Sequence, residues 1–470
     1  MERLPSSFRD PSGFMFRRDG VLYRQINRSY AADYRRLMES GLYAVLSSRG
    51  LLVRHEETNC PPAEPAQAVK VVRPHLVSFI SYPYEWCFSQ FKDAALLTLD
   101  IQEAALKKGM SLKDASAFNI QFEGGRPIHI DTLSFTAADS GPAWIAYRQF
   151  CEHFLAPLAL MTRRDASLGR LLALHPDGVP LDLTCRLLPR HTFWHFHRWL
   201  HLWFHNLGQR NAHRIRTPNS PTSERQRLAL VDSLRSAVNS LQPRRVSSRW
   251  SQYEADRPSY STVARASKEA IVSEIIAAVR PKLLWDLGCN TGVFSQIAAG
   301  HQAYAVACDY DHDCIESLYQ RIRMQPGASI LPLVVDFTNP TPPVGWAGRE
   351  RQSWLQRGPA DMALALAVVH HWALGNNVPL PMIAEFFSTC TRHLLIEFVP
   401  KTDPMSRRLL ASRADIFPDY DRQHFEATFA RHFVIQRTVE LPESERVLYH
   451  FELRHPVREP TETPNPPIVS

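Results

Sequence analysis

From Pro258 onward, short apolar runs alternate with helix-like segments, and this alternation constrains the fold more than any other feature of the 470 residues. Near-continuous apolar strands separated by helices are typical of a parallel sheet that is covered on both faces. The predicted parallel strands are residues 283–288, 303–310, 330–337, 362–371 and 393–400. Residues 434–441 and 446–454 flank a short turn and predict an antiparallel hairpin. The C-terminal half is therefore predicted to be α/β, with a seven-stranded Rossmann-like sheet.

The ends of the first two strands carry the best candidates for a binding site. Ligands of such sheets bind at the carboxyl ends of the strands, beside the point where the strand order reverses. The first strand ends in the turn Asp286-Leu-Gly288-Cys-Asn290-Thr-Gly292, and the second strand ends in Asp309. An acidic residue at that second position is well placed to accept hydrogen bonds from two ribose hydroxyls. These residues indicate a nucleoside ligand.

The residues of the turn limit which nucleoside-containing ligand can be expected. A dinucleotide fingerprint beginning at Gly288 needs glycines where this chain has Asn290 and Val293, and a GxxxxGK[ST] phosphate loop is absent. The turn resembles the first motif of class I S-adenosylmethionine-dependent methyltransferases, D/E-x-G-x-G-x-G, with Asn290 at the middle glycine. Asparagine tolerates positive φ, so this departure is mild. A glycine-containing turn in an unrelated α/β fold is the alternative interpretation.

The resemblance to methyltransferases covers residues 260–455 and implies roles for individual side chains. It implies S-adenosylmethionine as the cofactor, with Asp286 ordering the turn. The residues that it places on the cofactor are Gly288, Asn290 and Gly292 at the methionine portion, Asp309 at the ribose, and Asp336 and Phe337 at the adenine.

His370 and His371 end the predicted fourth strand, where the resemblance places the methyl group that is transferred. Side chains alternate along a strand, so only one of the two would face the cofactor, and we favour His370. A hydroxyl acceptor would need a base, and histidine can act as one near neutral pH. A hydrogen-bonded strand-end histidine without a catalytic part is the alternative. Secondary candidates, for which ordinary surface charge is the simpler interpretation, are Glu397, Lys401 and Asp403.

The N-terminal half predicts an α+β domain. Residues 14–26 predict a β-hairpin that turns at Asp19-Gly20, and residues 29–50 predict a helix capped by Ser29. A strand-like run at 76–86 precedes a second amphipathic helix at 87–109. A Gly-Gly hairpin then leads to a short strand that carries Asp131.

Asp114 and Asn119 in this half are spaced as D-x-x-x-x-N, and Asp131 follows. The arrangement resembles the catalytic and metal-binding loops of kinase-like phosphotransferases. The resemblance implies that Asp114 is a base and that Asn119 and Asp131 hold magnesium. An H-x-D pattern and a glycine-rich loop are missing, and Arg24 is the nearest substitute for the strand lysine. Polar residues in the turns of a hairpin are the alternative.

The formal charge of +7 is concentrated in one segment. Residues 206–257 hold ten arginines against four acidic residues, with clusters of Pro, Ser and Asn that are typical of linkers. One helix is predicted within it, at 224–242. The aromatic residues of the segment, Trp250 and Tyr253, lie near one end and do not alternate with the arginines along it, so a solvated interdomain connector is favoured over a nucleic-acid site. The predicted organisation is an N-terminal domain (1–205), this linker (206–257), a methyltransferase domain (258–457) and a disordered tail (458–470).

Three histidines, His197, His201 and His205, share one face of a predicted helix at 191–206. Histidines at this spacing can bind zinc, but no acidic residue or cysteine completes a ligand set within the run. An aromatic packing helix is favoured, and no metal site is predicted.

Cellular location follows from three features. No apolar run approaches the roughly 20 residues of a membrane-spanning helix. The first ten residues, MERLPSSFRD, carry charges where a secretory signal would be apolar. The eight cysteines contain no CxxC pair and are expected to be reduced thiols. A cytoplasmic protein without a membrane partner is predicted.

Taken whole, the chain resembles the host-specific nodulation protein family of rhizobia. The stretches that carry this resemblance are DPSGFMFRRDGVLYRQIN, SFISYPYEWCFSQFKDAALLTL, SLKDASAFN and WDLGCNTGVFSQIA. Membership implies a cytoplasmic methyltransferase with a family-specific N-terminal domain, and a small-molecule or glycan acceptor. Two alternatives stay open. One is a kinase-like nucleotide-binding or phosphotransfer protein with a methyltransferase-like sensor domain, and the other is a non-catalytic interaction protein. The sequence leaves the acceptor and the oligomeric state open.

Overall fold

The computed structural model describes residues 1–138, 143–189, 201–202, 222–243, 261–325, 327–411 and 414–455. These residues form two compact units. The first unit contains the described residues up to 243 together with Pro343–Arg351, and the second contains the others. The predicted boundaries at 205/206, 257/258 and 457/458 lie outside the described residues, as does the predicted tail. No helix in the described ranges is long and apolar enough to cross a membrane.

The first unit begins with a five-stranded antiparallel sheet of order β1-β2-β3-β5-β4. Its strands are β1 (Glu2–Arg3), β2 (Gly13–Arg18), β3 (Val21–Asn27), β4 (His55–Thr58) and β5 (Ala68–Pro74). β2 and β3 form the predicted hairpin, which turns at Asp19 and Gly20 with both residues at positive φ. Such a turn matches the right-handed twist of the flanking strands. The hairpin prediction is therefore confirmed.

The remaining elements of the first unit are mostly short. Its described helices are α1 (Ala31–Glu39), α2 (Leu42–Ser48), α3 (Phe88–Leu106), α4 (Tyr147–Phe150), α5 (Ala156–Arg163), α6 (Leu171–Leu174), α7 (Leu181–Leu187) and α8 (Glu224–Asn239). Two small antiparallel pairs join β6 (Met110–Leu112) to β9 (Phe135–Ala137) and β7 (Ile120–Glu123) to β8 (Arg126–His129). The predictions of a helix at 87–109 and of a hairpin at the Gly-Gly turn are confirmed.

Two predictions for this unit are wrong. The helix expected at 29–50 is divided into α1 and α2, because Gly41 adopts a left-handed conformation with φ of 73°. Ser29 does not cap it, since its hydroxyl donates to the carbonyl of Pro11. The strand expected at 76–86 is irregular and ends in a 3₁₀ turn at Pro83–Glu85.

In the irregular segment at 76–86, the side chain of Gln121 makes hydrogen bonds of the kind that a neighbouring strand would make. Its amide oxygen accepts the Ser81 N–H at 2.8 Å, and its amide nitrogen donates to the Ser81 carbonyl at 2.9 Å. The Ser81 backbone is thus satisfied without a sheet ladder, and Pro83 has no N–H to offer one.

Helix α8 corrects the prediction of a solvated connector in the middle of the linker. The helix exists where the sequence predicts it, but its apolar face is buried at Val231, Leu234 and Val238 and packs on α3. Arg235 forms ion pairs with Asp100 and Glu103 of α3. These basic and apolar residues therefore belong to the core and rim of the first unit. The two flanks of the predicted linker lie outside the described residues.

The second unit contains the predicted seven-stranded sheet. Its strands are β10 (Leu283–Leu287), β11 (Tyr304–Asp309), β12 (Ile330–Val334), β13 (Ala360–Ala365), β14 (Thr391–Phe398), β15 (Phe433–Glu440) and β16 (Val447–Leu453). The order is β12-β11-β10-β13-β14-β16-β15, with β16 antiparallel to both neighbours. The chain moves outward from β10 to β12 and then returns to place β13 on the other side of β10. The strand order therefore reverses between β10 and β13, which opens a crevice at their carboxyl ends.

The helices of the second unit lie between these strands. They are α9 (Thr262–Val279), α10 (Val293–Gly300), α11 (His312–Ile322), α12 (Leu380–Cys390), α13 (Pro404–Leu410) and α14 (Arg422–Phe429). The sequence predicts the first four, whereas α13 and α14 were not anticipated. The predicted fourth strand extends six residues too far at its carboxyl end, because the backbone turns at Ala367 with φ of 56°.

We predict that Leu234→Ala destabilises the first unit by about 2–5 kcal/mol, because Leu234 is fully buried where α8 meets the core. Scanning calorimetry of the full chain measures this as a lower unfolding temperature. The matched control is Ser236→Ala, at an exposed position of the same helix, which should leave the temperature unchanged. Equal unfolding temperatures for the two variants would restore the solvated-connector prediction.

Candidate functional site

A cavity of about 490 Å³ lies at the carboxyl ends of the central strands of the second unit. This volume falls in the roughly 300–1,000 Å³ range of small-molecule sites. The predicted site residues in its wall are Gly288, Asn290, Asp309, Asp336, Phe337, His370 and His371. Asp286 and Gly292 are not in the wall, so their contribution is to the shape of the turn.

The turn after β10 depends on left-handed backbone conformations. Gly288 and Gly292 have φ of 81° and 83°, and Asn290 has φ of 49°. The N–H groups of Gly288 and Cys289 both donate to the Cys308 carbonyl, which fixes the turn to β11. The conformation explains why glycine or asparagine stands at these three positions.

Gly288 also lies in close contact with the loop after β13. A Cβ atom added there would overlap the Cγ2 methyl group of Val368. The turn and the loop that carries the two histidines are therefore packed directly together, and together they form one wall of the cavity.

Asp286 supports this turn from beneath. Its carboxylate accepts a 2.6 Å hydrogen bond from the Ser295 hydroxyl, which ties β10 to the first turn of α10. Complete burial raises the pKa of Asp286 to about 6, and the Ser295 hydrogen bond opposes that shift.

Asp309 connects the two turns at the cavity. One carboxylate oxygen accepts the Asn290 N–H at 2.9 Å, and the other accepts the Asp311 N–H at 2.9 Å. Burial raises the pKa of Asp309 to about 6 in spite of these hydrogen bonds. A carboxylate has about four acceptor positions, so two backbone donors leave room for two more from a ligand.

Asp336 and Phe337 follow β12 and also line the cavity. Asp336 accepts hydrogen bonds from the N–H and the hydroxyl of Thr338, which shapes the turn. The Phe337 ring lies 5.2 Å from the Trp354 ring and 6.0 Å from the Trp372 ring. An aromatic wall of this kind suits a flat, apolar ligand surface.

His370 and His371 do not end a strand, as the sequence predicted. They follow the Ala367 turn, and His371 begins a short helical segment, His371–Gly375. The alternation of side chains along a strand therefore cannot choose between them. Their rings lie 4.1 Å apart. Burial lowers the pKa of both, with neighbouring positive charge adding to the effect, and the pKa of His371 falls to about 4.

A buried ionic network lies behind the histidines, and the sequence did not reveal it. Lys268 of α9 contacts Glu397 of β14 at 2.7 Å, and Arg446 contacts Asp403 through two hydrogen bonds of 2.7 and 3.1 Å. Arg446 also approaches Glu397 at 3.6 Å. Lys268 and Arg446 both reach the cavity wall. The surface-charge interpretation of Glu397 and Asp403 is therefore wrong, whereas Lys401 pairs with the half-exposed Asp415.

Comparison with known proteins places this chain in a family. No protein-family model matches the sequence. Nodulation protein NoeA of Rhizobium meliloti (strain 1021) is 34% identical to it over 473 residues, which cover 96% of each chain. The chain belongs to the NoeA family of nodulation proteins.

Solved structures resemble it only weakly. The N-methyltransferase NodS of Bradyrhizobium japonicum WM9 aligns with a TM-score of 0.31 and 12% identity, over 42% of this chain and 99% of its own. Magnesium protoporphyrin IX methyltransferase of Synechocystis PCC 6803 aligns with a TM-score of 0.28 and 17% identity, over 43% and 89%. The bifunctional kinase-methyltransferase WbdD gives 0.30 and 16%, over 43% and 41%. Likenesses at this level do not assign a function.

The residues predicted for a kinase-like site lie close together in the first unit of this NoeA-family chain. Burial and the charge of Asp131 raise the pKa of Asp114, whose carboxylate is hydrogen-bonded by Asn119. Asp131 itself is paired with Arg24 at 2.6 Å and accepts the Ser134 hydroxyl at 2.6 Å. Arg24 is thus a partner of the carboxylate that the resemblance assigned to magnesium.

Of the three histidines that were considered as zinc ligands, His201 is the one in the described part of the chain. His201 contacts the Tyr147 hydroxyl at 2.7 Å through one ring nitrogen and the Ser233 hydroxyl at 2.9 Å through the other. Its two nitrogens therefore serve packing between elements. His197 and His205 lie outside the described residues. Within the described ranges, no cluster of three His, Cys, Asp or Glu side chains is arranged to hold a metal ion.

We predict that Gly288→Ala lowers the free energy of unfolding of the second unit by about 1–3 kcal/mol, because the new methyl group overlaps Val368 at a left-handed position. Gly300→Ala is the matched control, since open space surrounds Gly300 at the end of α10. Chemical unfolding of both variants measures the difference. Equal stability would show that the turn and the histidine loop are not in contact.

Proposed function

We propose that the second unit binds S-adenosylmethionine in this cavity and transfers its methyl group to a small-molecule or glycan acceptor. The observation that carries the proposal is the left-handed turn at Gly288–Gly292, held beside the Asp309 carboxylate where the strand order reverses. Nucleoside ligands of open α/β sheets bind at this place. The motif in the sequence and the geometry of the turn thus support the same ligand.

The chain's own residues fit the parts of this cofactor. The turn residues Gly288 and Asn290 lie in the cavity wall, where the methionine portion would approach them. Asp309 keeps acceptor positions for the two ribose hydroxyls. Asp336 and Phe337 offer an acceptor and an aromatic face for the adenine.

Methyl transfer requires the protein mainly to align the acceptor with the methyl group and to exclude water. The sulfonium of bound S-adenosylmethionine supplies an already activated methyl group. The residues of the cavity then have to hold the acceptor in line with that group in a water-poor site. His370 and the ionic network beside it are buried, which suits such a site.

We do not extend the proposal to phosphoryl transfer by the first unit. A carboxylate that holds magnesium needs free oxygen atoms directed at the ion. The Asp131 carboxylate already contacts Arg24, Ser134 and the Leu133 N–H, and Arg24 supplies the positive charge that a magnesium ion would bring. The kinase-like interpretation of the first unit therefore stays an alternative to the function proposed here.

Calorimetric titration tests the cofactor site. We expect the full chain to bind S-adenosylmethionine and Asp309→Asn to bind it about 10- to 100-fold more weakly, because hydrogen bonds to an ionised carboxylate contribute about 1.5–3 kcal/mol each. The matched control is Asp419→Asn, which removes an exposed carboxylate outside the cavity. No binding by the folded wild-type chain, or equal binding by all three proteins, would contradict the proposal.

Binding should also depend on pH. The ionised form of Asp309 accepts the ribose hydrogen bonds, and its pKa is raised to about 6. Affinity should therefore fall as the pH drops below about 6, by up to about tenfold at pH 5 relative to pH 7. Titrations at a series of pH values measure this, and Asp309→Asn should remove most of the dependence. A flat profile for the wild-type chain would show that Asp309 does not contact the cofactor.

A further inference from the structure

His370 is an exception among the buried polar side chains of the cavity wall. Its side chain is 1% exposed, and neither ring nitrogen has a hydrogen-bond partner among the described residues. Buried polar groups are nearly always hydrogen-bonded, and each unsatisfied one calls for an explanation, of which a catalytic role is one. His370 lines the cavity, where a bound ligand would lie.

The position of His370 identifies which part of the ligand it would meet. It lies two residues after Val368, which packs against Gly288 at the turn assigned to the methionine portion. His370 is therefore next to the end at which the methyl group would be presented.

The charged groups around His370 keep its imidazole neutral. Burial, the adjacent His371, and the positive charges of Arg446 and Lys268 all lower its pKa. The nearby carboxylates of Glu397 and Asp403 are engaged by Lys268 and Arg446. A neutral imidazole has one nitrogen with a free lone pair, which is the state required of a proton acceptor.

We propose that His370 is the catalytic base and that the acceptor atom is a hydroxyl oxygen. This inference rests on the proposed function. In the step, the hydroxyl proton moves to the free nitrogen of His370 and the oxygen electron pair forms the new bond to the methyl carbon. The carbon–sulfur bond breaks, and its electron pair returns to sulfur, which leaves as a neutral thioether. His370 then holds the proton as an imidazolium until it is released to water.

The need for a base favours a hydroxyl as the acceptor. A hydroxyl oxygen is a weak nucleophile until its proton leaves, and a positioned side chain can take that proton in the transition state. A carboxylate acceptor would need no base, which would leave the unpartnered imidazole without a role.

The first part of the test separates this inference from the proposed function. Calorimetry with S-adenosylmethionine should give an affinity within about threefold of wild type for His370→Ala, because both cofactor-binding turns are unchanged. The matched control His455→Ala, which removes an exposed histidine outside the cavity wall, should bind like wild type. If the wild-type chain does not bind S-adenosylmethionine, the proposed function itself fails. If His370→Ala does not fold, His370→Asn takes its place.

The second part uses S-adenosylmethionine carrying a ¹³C methyl group, mixed with the purified full chain and a small-molecule extract of the cells that make this protein. The ¹³C chemical shift of the product distinguishes methyl groups on oxygen, nitrogen and sulfur. We expect an O-methyl product and a turnover rate at least about 100-fold lower in His370→Ala, with the rate of the exposed control His455→Ala within about threefold of wild type.

Added imidazole should restore part of the rate of His370→Ala, which a purely structural role of His370 would not allow. A methyl group on nitrogen or sulfur, or a variant rate within about threefold of wild type, would overturn the inference and leave the methyltransferase proposal standing. Binding of S-adenosylmethionine without transfer to any compound of the extract would count against both.

Discussion

The buried pairing of Lys268 with Glu397 and of Arg446 with Asp403 is the interaction on which the second unit most depends. It joins the helix before the first strand, the end of the fifth strand, the following loop and the last strand. Loss of one partner from such a set leaves an uncompensated buried charge, which costs about 3–5 kcal/mol. The network therefore fixes the floor of the cavity, and its cations set the protonation of His370 beside it. The same ion pairs therefore stabilise the fold of the second unit and shape the candidate site.

The sequence predicts the sheet well because apolar runs bounded by helical segments are a local signal. All seven strands of the second unit occur in the predicted order along the chain, and the hairpin that ends it is antiparallel. The failures occur where a distant contact decides the backbone. Gln121 satisfies the backbone of Ser81 in place of a strand, and the turn at Ala367 ends the fourth strand six residues early. Apolar composition continues through both segments, so periodicity alone cannot show either change.

The residues of the candidate site likewise include some that the sequence predicts and some that it does not. Gly288, Asn290 and Gly292 could be predicted to turn the backbone because their conformational freedom is a property of single residues. Lys268 could not be predicted as a wall residue, since a lysine on an otherwise apolar helix face gives no sign of the carboxylate that it will meet. In the sequence, Glu397 resembles a surface charge, because its partners are far away along the chain. Lys268 is 129 residues from it and Arg446 is 49 residues from it. Only tertiary contact reveals such pairs.

The Arg24–Asp131 pair of the first unit shows why a resemblance in spacing needs a geometric check. Spacing alone suggests that Asp131 awaits a magnesium ion. In the structure the guanidinium of Arg24 lies 2.6 Å from that carboxylate, both side chains are at least nine-tenths buried, and the positive charge that a metal would supply is already present. Coulombic attraction to Arg24 and the hydrogen bonds of Ser134 and Leu133 hold the pKa of Asp131 below its usual value, although burial opposes this. An ionised Asp131 is thus accounted for by the folded chain itself. The cavity, with its left-handed turn and the Asp309 carboxylate, lies in the second unit, and the chemistry of this NoeA-family protein is therefore to be sought there.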